Sequence, residues 1–457
     1  MKIRKVKWQN HPVLGNIELD FTRSDGTVFD NIVLIGENGS GKTTVMESIA
    51  TFLNIGPFDD FEYLEYEIGT QFYRALHRDG TQGNDTFFRI QDMMTGEIRI
   101  INRDRVYGPD HISSDKTDPR HYGCSISKAR ANYKTDKIKH TSTSELDGNK
   151  YSEDNDDNFT SLKQMFVDIV SQDEHDYTII NEGKDHADTI TVQEFRLNQS
   201  KQYRFVRAFD AFFSDRGLRY GEVNNDEGNK EIFFNRGDKK IPIDNLSTGE
   251  KQIVYRGMYL LRNLKILSET VVFVDEPELS MHPRWQAKIL TYYQNMFNAA
   301  DGHQMAQMFF ATHSEHVLRS ALKASDKNLV IMLHDNNGTI ECKRITAPFV
   351  LKTISFSEIN YEAFRMISTD YHTALYYFLH TLSGANSIKD VDDFIKKHLF
   401  YNSKIHSRPS KGLGATTYET LPTFIRNGID HPESGNSFSE EDLWISIDLL
   451  RRICITP

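Results

Sequence analysis

The chain has 457 residues, enough for two or three domains with cores of their own. Its 54 basic and 65 acidic side chains leave a net charge of −11, so the overall field does not draw in nucleic acid, and any such contact needs a local basic patch. The three cysteines, Cys124, Cys342 and Cys454, fit neither a disulfide framework nor a metal-site spacing, and no apolar run approaches the roughly 20 residues that span a bilayer. The expectation is a cytoplasmic protein with reduced thiols and no membrane contact.

Residues 1–55 read as strands that lead into a helix. The segment "VKWQNHPVLGNIELDF" alternates like a hairpin with Asn10-His11-Pro12 as its turn. The apolar run Ile32–Ile35 is followed by "GENGSGKTT", Gly36 to Thr44, and then by Val45, Met46 and Ile49 at helical spacing. A strand, a glycine-rich turn and a helix in that order gather backbone N–H groups into a nest for phosphate. Gly36, Gly41, Lys42 and Thr43 complete the P-loop pattern. Gly36, Asn38, Gly39, Ser40, Gly41 and Thr44 are then expected around the phosphates of ATP, Lys42 at the β- and γ-phosphates, and Thr43 on Mg²⁺.

Residues 56–235 mix aromatic, Asn, Asp and Gly residues with few long periodic runs. "GCSISKARANYKTDKIKH" is locally basic, with Lys128, Arg130, Lys134, Lys137 and Lys139 around Tyr133. The acidic, turn-rich "SELDGNKYSEDNDDN" follows it, which favours a solvated, lysine-guarded edge over a nucleic-acid track. "FTSLKQMFVDIVSQ" puts Leu162, Met165, Phe166 and Ile169 on one helical face.

From Ile243 the signals sharpen. "TVVFVDEP" is a buried strand of the parallel kind that ends in two acids. Asp275 is expected to hold Mg²⁺ and Glu276 to polarise the attacking water. "FFATHS" brings His313 to the C-terminal end of the next strand, where ligands of parallel sheets bind. In "LSTGEKQ", Ser247 and Gly249 stand at a second helix start that suits an anion. The chain's own P-loop already cradles its own phosphates, so this second start fits the ATP of another subunit.

The P-loop, "LSTGE", "VDEPE" and "ATHS", in that order, resemble the ABC-type ATPase head. The resemblance implies that Ser247, Gly249 and Glu250 form a signature used in trans, that "PELSMHP" is the D-loop region and that His313 is the switch histidine. It also implies a homodimer or higher homo-oligomer closed around ATP. Gln71 and Gln91 are the candidates for a Q-loop glutamine. The Thr248 and Glu250 variant is similar to the signature of SMC-like and OLD-type members rather than transporters. The segment between P-loop and signature lacks the sustained heptads of an SMC coiled coil. The Asp-x-Asp in "DVDD", Asp390 to Asp393, lies in a helical pattern, so a Toprim nuclease domain is not expected.

The motifs "STGEK", "DEPELSMHP" and "ATHSEHVL", the gapped insertion and the helical tail together resemble the stand-alone ATPases of anti-phage defence, most of all the PtuA family of the Septu system and its retron-associated relatives. That resemblance implies an ATPase that holds a separate nuclease partner, of HNH type in Septu, with nucleic acid reached through the complex. The expected architecture is α/β: an ABC-type head from residues 1–55 and 236–346, an α+β insertion over 56–235, and a helical, HEPN-like domain over 347–457.

The tail raises an alternative. Arg426 and His431 in "FIRNGIDHPES" match the Arg-x4-6-His pattern of HEPN ribonucleases, in which histidine handles protons and arginine steadies phosphate charge. The bland reading, that the two residues merely tie helices together, is the favoured one. A RecF-like DNA-repair clamp is the third reading, and the acidic balance does not encourage it.

Overall fold

The computed structural model describes residues 1–78, 86–102, 115–128, 159–184, 188–226, 229–260, 269–299, 302–411 and 416–456. Arg130, Tyr133, Lys134, Lys137 and Lys139 of the basic stretch, and the acidic loop from Ser144 to Asn158, lie outside the described residues. The chain divides into two compact units, Met1–Ile345 and Thr346–Pro457.

The first unit opens with strand β1 (Lys2–Trp8) antiparallel to the short β2 (Glu18–Asp20), with Val6 opposite Leu19. The connection is wider than the expected Asn10-His11-Pro12 turn: His11 bridges to Gly15, and Asn10 takes a left-handed φ of 49°. Strand β3 (Asn31–Ile35), buried at every position, runs through the glycine-rich loop into helix α1 (Lys42–Leu53). Strands β4 (Phe61–Ile68), β5 (Gln71–Leu76), β6 (Thr86–Asp92) and β7 (Ile98–Asn102) extend the first sheet in the order β2-β1-β4-β5-β6-β7. Strand β8 (Cys124–Ser127) does not join them; it pairs in parallel with Val271–Asp275, which carries the two acids.

After β8 come helices α2 (Phe159–Asn181), α3 (Val192–Asn198) and α4 (Lys201–Phe212). A three-stranded antiparallel sheet follows, built from β9 (Leu218–Asp226), β10 (Asn229–Arg236) and β11 (Lys239–Pro242). Helix α5 (Thr248–Leu260) then leads to β12 (Val271–Asp275). The unit closes with helices α6 (Pro283–Gln286) and α7 (Ile289–Met296), strand β13 (Gln307–Thr312), helix α8 (Glu315–Lys323), and strands β14 (Asn328–Asn336) and β15 (Thr339–Ile345).

The central sheet has the order β15-β14-β3-β13-β12-β8 and is parallel except for β15. Its inner strands β3, β12 and β13 are buried at nearly every position and read as largely apolar runs, as strands covered on both faces do. The register sets Asp275 opposite Ala311 and Thr312 opposite Ile35. The C-terminal ends of β3, β12 and β13 therefore finish at one level, the edge where parallel sheets bind ligands.

Segments within 56–235 share sheets with strands on either side of it. Residues 61–102 supply four strands of the sheet begun by β1, and β8 supplies an edge of the central sheet. One apolar cluster joins the two sheets through α1, with Phe52 edge-on to Phe58 at 4.9 Å and to Phe88 at 5.4 Å. Removing one such ring costs about 3–5 kcal/mol, because the cavity cannot fully close. A second aromatic group binds the later insertion together: Phe166 meets Phe205 at 5.2 Å, Phe209 meets Phe234 at 5.0 Å, and Phe213 meets Trp285 at 5.1 Å.

The second unit is mainly helical: α9 (Phe356–Phe364), α10 (Thr369–Ser383), α11 (Ile388–Lys397), α12 (Ser403–His406), α13 (Leu421–Asp430) and α14 (Glu440–Ile455). The helical spacing in "NYEAFRMISTDYHTALYYFLHTLS" is broken at Arg365, which adopts a left-handed φ of 55°, and restarts at the Ser368 cap. A hairpin of β16 (Ser407–Lys411) and β17 (Thr417–Thr420) interrupts the helices and was not expected. Asp392 of "DVDD" is fully buried and accepts hydrogen bonds from Glu419 N at 2.9 Å and Thr420 N at 3.0 Å, tying α11 to β17. Helix α14 is closed by a capping box, with Ser439 and Asp442 bonding each other's backbone N–H. Among the described residues no helix is long and apolar enough to cross a membrane.

Candidate functional site

The loop after β3 has the backbone that phosphate requires. Gly36, Gly39 and Gly41 have φ values of 153°, 83° and 87°. At Gly36 a Cβ would meet the Leu333 carbonyl oxygen at 2.1 Å, and at Gly41 it would meet the Leu14 side chain at 2.8 Å. Only glycine fits either place. Helix α1 starts from Gly41 with no side-chain cap and no acid in its first turn. Its leading N–H groups are left for an anion. The Ser40 hydroxyl is buried beside them with no hydrogen-bond partner.

Lys42 is buried, and its ammonium donates to the carbonyls of Gly36 at 2.9 Å and Glu37 at 2.8 Å. Burial lowers its pKa, opposed by the nearby carboxylates of Asp275, Glu276 and Glu278. These carbonyls are weak partners for a buried ammonium, and phosphate oxygens are stronger ones. Thr43 donates its hydroxyl to Asp275 at 3.1 and 3.2 Å. Burial raises the Asp275 pKa, the Thr43 bond lowers it, and the charge of Glu276 raises it again. A hydroxyl and a half-stranded carboxylate in contact suit a divalent cation that travels with a nucleotide. The uncapped helix start, the orphaned Ser40 hydroxyl and this pair fit ATP with Mg²⁺.

Across the strand ends, Glu276 is held at a left-handed φ of 43° while its N–H donates to the Ala311 carbonyl at 2.9 Å. Its carboxylate lies 3.5 Å from Nδ1 of His313, whose ring is half exposed. Glu278, unnoticed in the sequence, is buried and accepts from the Thr312 hydroxyl at 2.6 Å and His313 N at 3.1 Å. The ring nitrogen of His313 is also 3.7 Å from Glu278. The extra acid after proline in "DEPE" was the available signal.

Arg256, on α5, gave no signal at all. It is 3% exposed and donates to Ser127 Oγ at 3.0 Å, to the Ser127 carbonyl at 2.9 Å, to the Glu276 carbonyl at 2.8 Å and to the Asp275 carbonyl. One guanidinium thus pins the ends of β8 and β12 to the helix that begins at the signature. Gln71 and Gln91, the Q-loop candidates, sit on β5 and β6 of the antiparallel sheet, not at the ends of the parallel strands. The strand beside β12 ends instead in Ser127 and Lys128, and Lys128 pairs with Glu47 of α1 at 2.9 Å.

The signature helix start is built differently from the P-loop start. The Ser247 N–H and hydroxyl donate to the Glu250 carboxylate at 2.9 and 2.8 Å, and Arg236 pairs with the same carboxylate. A Cβ on Gly249 would meet the Ser280 carbonyl at 2.9 Å and the Trp285 ring at 3.1 Å. Ser247 bonds Glu250 and Lys251, and Gly249 packs against Ser280 and Trp285, none of which belongs to the P-loop.

In the second unit, Arg426 pairs with Asp430 at 2.7 Å and donates to the Tyr377 hydroxyl at 2.9 Å. His431 ends α13, with its ring 45% exposed and 3.4 Å from Glu433.

The family model described as "AAA domain, putative AbiEii toxin, Type IV TA system" matches residues 32–319. Two curated proteins named Septu protein PtuA are similar to the chain. The one from Bacillus mycoides (strain KBAB4) is 21% identical over 349 residues, covering 73% of this chain and 40% of that protein. The one from Bacillus thuringiensis is 27% identical over 137 residues, covering 27% of this chain and 33% of that protein. The chain thus spans well under half the length of the curated relatives it matches. Among solved structures, an SMC head bound to the C-winged helix domain of ScpA aligns at 14% identity and a TM-score of 0.39, covering 76% of this chain and 98% of that one. The SMC head domain from Thermotoga maritima aligns at 14% and 0.37, covering 76% and 100%. With the P-loop, the paired acids and the histidine carried on three adjacent parallel strands beside an antiparallel sheet, and with the family model spanning 32–319, the chain belongs to that AAA-domain family and is an ATPase.

Proposed function

We propose that this ATPase is the nucleotide-controlled regulatory subunit of an anti-phage defence complex, in which ATP closes two copies on each other and the assembly holds and governs a separate nuclease, of HNH type by likeness to the Septu system. The observation that carries the trans arrangement is the split between the two helix starts. The P-loop start is open and lysine-bearing, whereas Ser247 and Gly249 make their recorded contacts away from it. A second copy would bring its signature to the phosphate that the first copy's P-loop holds.

Each group has a task in this reading. The N–H groups from Gly39 to Thr44 and the ammonium of Lys42 hold the phosphate chain. Thr43 and Asp275 would hold a Mg²⁺, which would supply charge neutralisation at the phosphates. Glu276 takes a proton from the attacking water as the water adds to the γ-phosphorus and the bond to the leaving diphosphate breaks. His313, steadied by Glu278 and facing Glu276, contacts the γ-phosphate from the next strand end. Loss of that phosphate removes what the partner's Ser247 grips, so the copies part. Arg426 is engaged by Asp430 and Tyr377, which favours regulation of a partner over RNA cleavage by this chain.

Glu276→Gln tests the reading. Sedimentation velocity with ATP should show a lasting dimer or higher oligomer, with turnover down at least about a hundredfold, the scale of losing a positioned base. Normal turnover in this variant would remove Glu276 from the chemistry.

A further inference from the structure

We propose that helix α2 and strand β10 set the signature helix for closure through two ion pairs that bracket Ser247, with Lys163 and Arg236 as positioning residues; this rests on the reading that Ser247 and Gly249 act on the partner's nucleotide. Asp244 lies three positions before Ser247 and Glu250 three after it. Each of these acids is held by a cation from an element earlier in the chain, Lys163 of α2 for Asp244 and Arg236 of β10 for Glu250.

Lys163 comes from α2. Its side chain is 1% exposed, and its ammonium lies 3.0 Å from Asp244 and 3.0 Å from Glu231 of β10. A buried ammonium stripped of its carboxylates is costly, so α2 cannot shift without carrying the turn before Ser247 or breaking a desolvated pair. Arg236, the last residue of β10, holds Glu250, which in turn occupies both Ser247 donors. That carboxylate sits where a phosphate oxygen of the partner's nucleotide must come, because both seek the same N–H and hydroxyl. Arg236 gives the Glu250 charge somewhere to remain when phosphate takes those donors. Lys163 fixes where the helix begins, and Arg236 governs how readily its serine is released. A partner or ligand that moves α2 or β10 would thereby change closure without touching the P-loop.

The test separates this from a general loss of structure and from failure of the trans reading. In the Glu276→Gln background, ATP binding per chain is measured by equilibrium dialysis and ATP-driven association by sedimentation velocity. Three added changes are compared: Asp244→Asn, Glu231→Gln and Ser247→Arg. Asp244 is partly exposed, so its amide is tolerated by the fold, and Glu231→Gln leaves the Lys163–Asp244 pair in place. Asp244→Asn should raise the protein concentration for half-association about tenfold, with ATP binding within about twofold, and Glu231→Gln should move association by less than about twofold. Equal shifts from the two variants, no shift from Asp244→Asn, or loss of ATP binding in Asp244→Asn would overturn the bracket. If Ser247→Arg also leaves association unchanged, the trans reading itself fails.

Discussion

Helix α1 and helix α5 both begin at a glycine-containing turn with N–H groups facing outward, yet their first turns are completed in opposite ways. At α1 the cap residue is Gly41, no side chain accepts from the leading N–H groups, and Lys42 bonds loop carbonyls. At α5 the chain supplies its own anion, since Glu250 accepts from Ser247 and is balanced by Arg236. An unfinished helix end is a standing demand for an external anion, whereas a finished one binds an anion only by exchange. On the proposed function, the first start holds nucleotide in a lone copy, and the second engages only when phosphate is presented strongly enough to displace a carboxylate.

The sharpest way to break the comparison is to disable each start in turn. Lys42→Ala should weaken ATP binding by about a hundredfold or more, since a buried charge-assisted contact is lost, and calorimetry on the purified chain reads this directly. Ser247→Arg should leave that affinity within about twofold while turnover falls to background, because the trans contact is made only in the closed state. If Ser247→Arg weakened ATP binding as much as Lys42→Ala, both helix starts would serve one nucleotide in one chain.

A smaller effect probes how finished the second start is. Glu250→Gln keeps the shape but removes the charge, so the cap should lose about 1 kcal/mol, read as a lower melting temperature, while Ser247 becomes easier to release. Association in the Glu276→Gln background should then tighten or hold steady rather than collapse.

The smallest effect lies at Asp275. Burial raises its pKa above that of an unfolded aspartate, so the folded chain binds more protons in the carboxylate range and this group's effect on stability worsens as pH rises through it. Asp275→Asn should therefore stabilise the nucleotide-free chain slightly at neutral pH, with a flatter dependence of unfolding on pH above the ordinary aspartate range. An unchanged or steeper profile would mean that Asp275 is not strained in the absence of nucleotide.

Which parts of this were legible in the sequence follows from how local each signal is. The P-loop, "VFVDEP" and "FFATHS" each need only their own residues to form a turn or a buried strand end, and the structure sets them side by side. Strand β8 was missed as part of the central sheet because four residues, Cys124 to Ser127, carry no period that points to Val271–Asp275 as a partner. Arg256 was unreadable for the same reason: its bonds join residues from β8 and β12 that only the folded sheet brings together. The hairpin from Ser407 to Thr420 was hidden by a short, polar composition that fits a loop as well as a strand.

The left-handed backbone at Glu276 has an evolutionary consequence. A glutamate held at positive φ costs the fold on the order of 1 kcal/mol, which glycine would not incur and asparagine would incur only in part. Selection for heat resistance alone would draw position 276 away from glutamate, and on the proposed function the thermostable descendants would bind ATP without hydrolysing it.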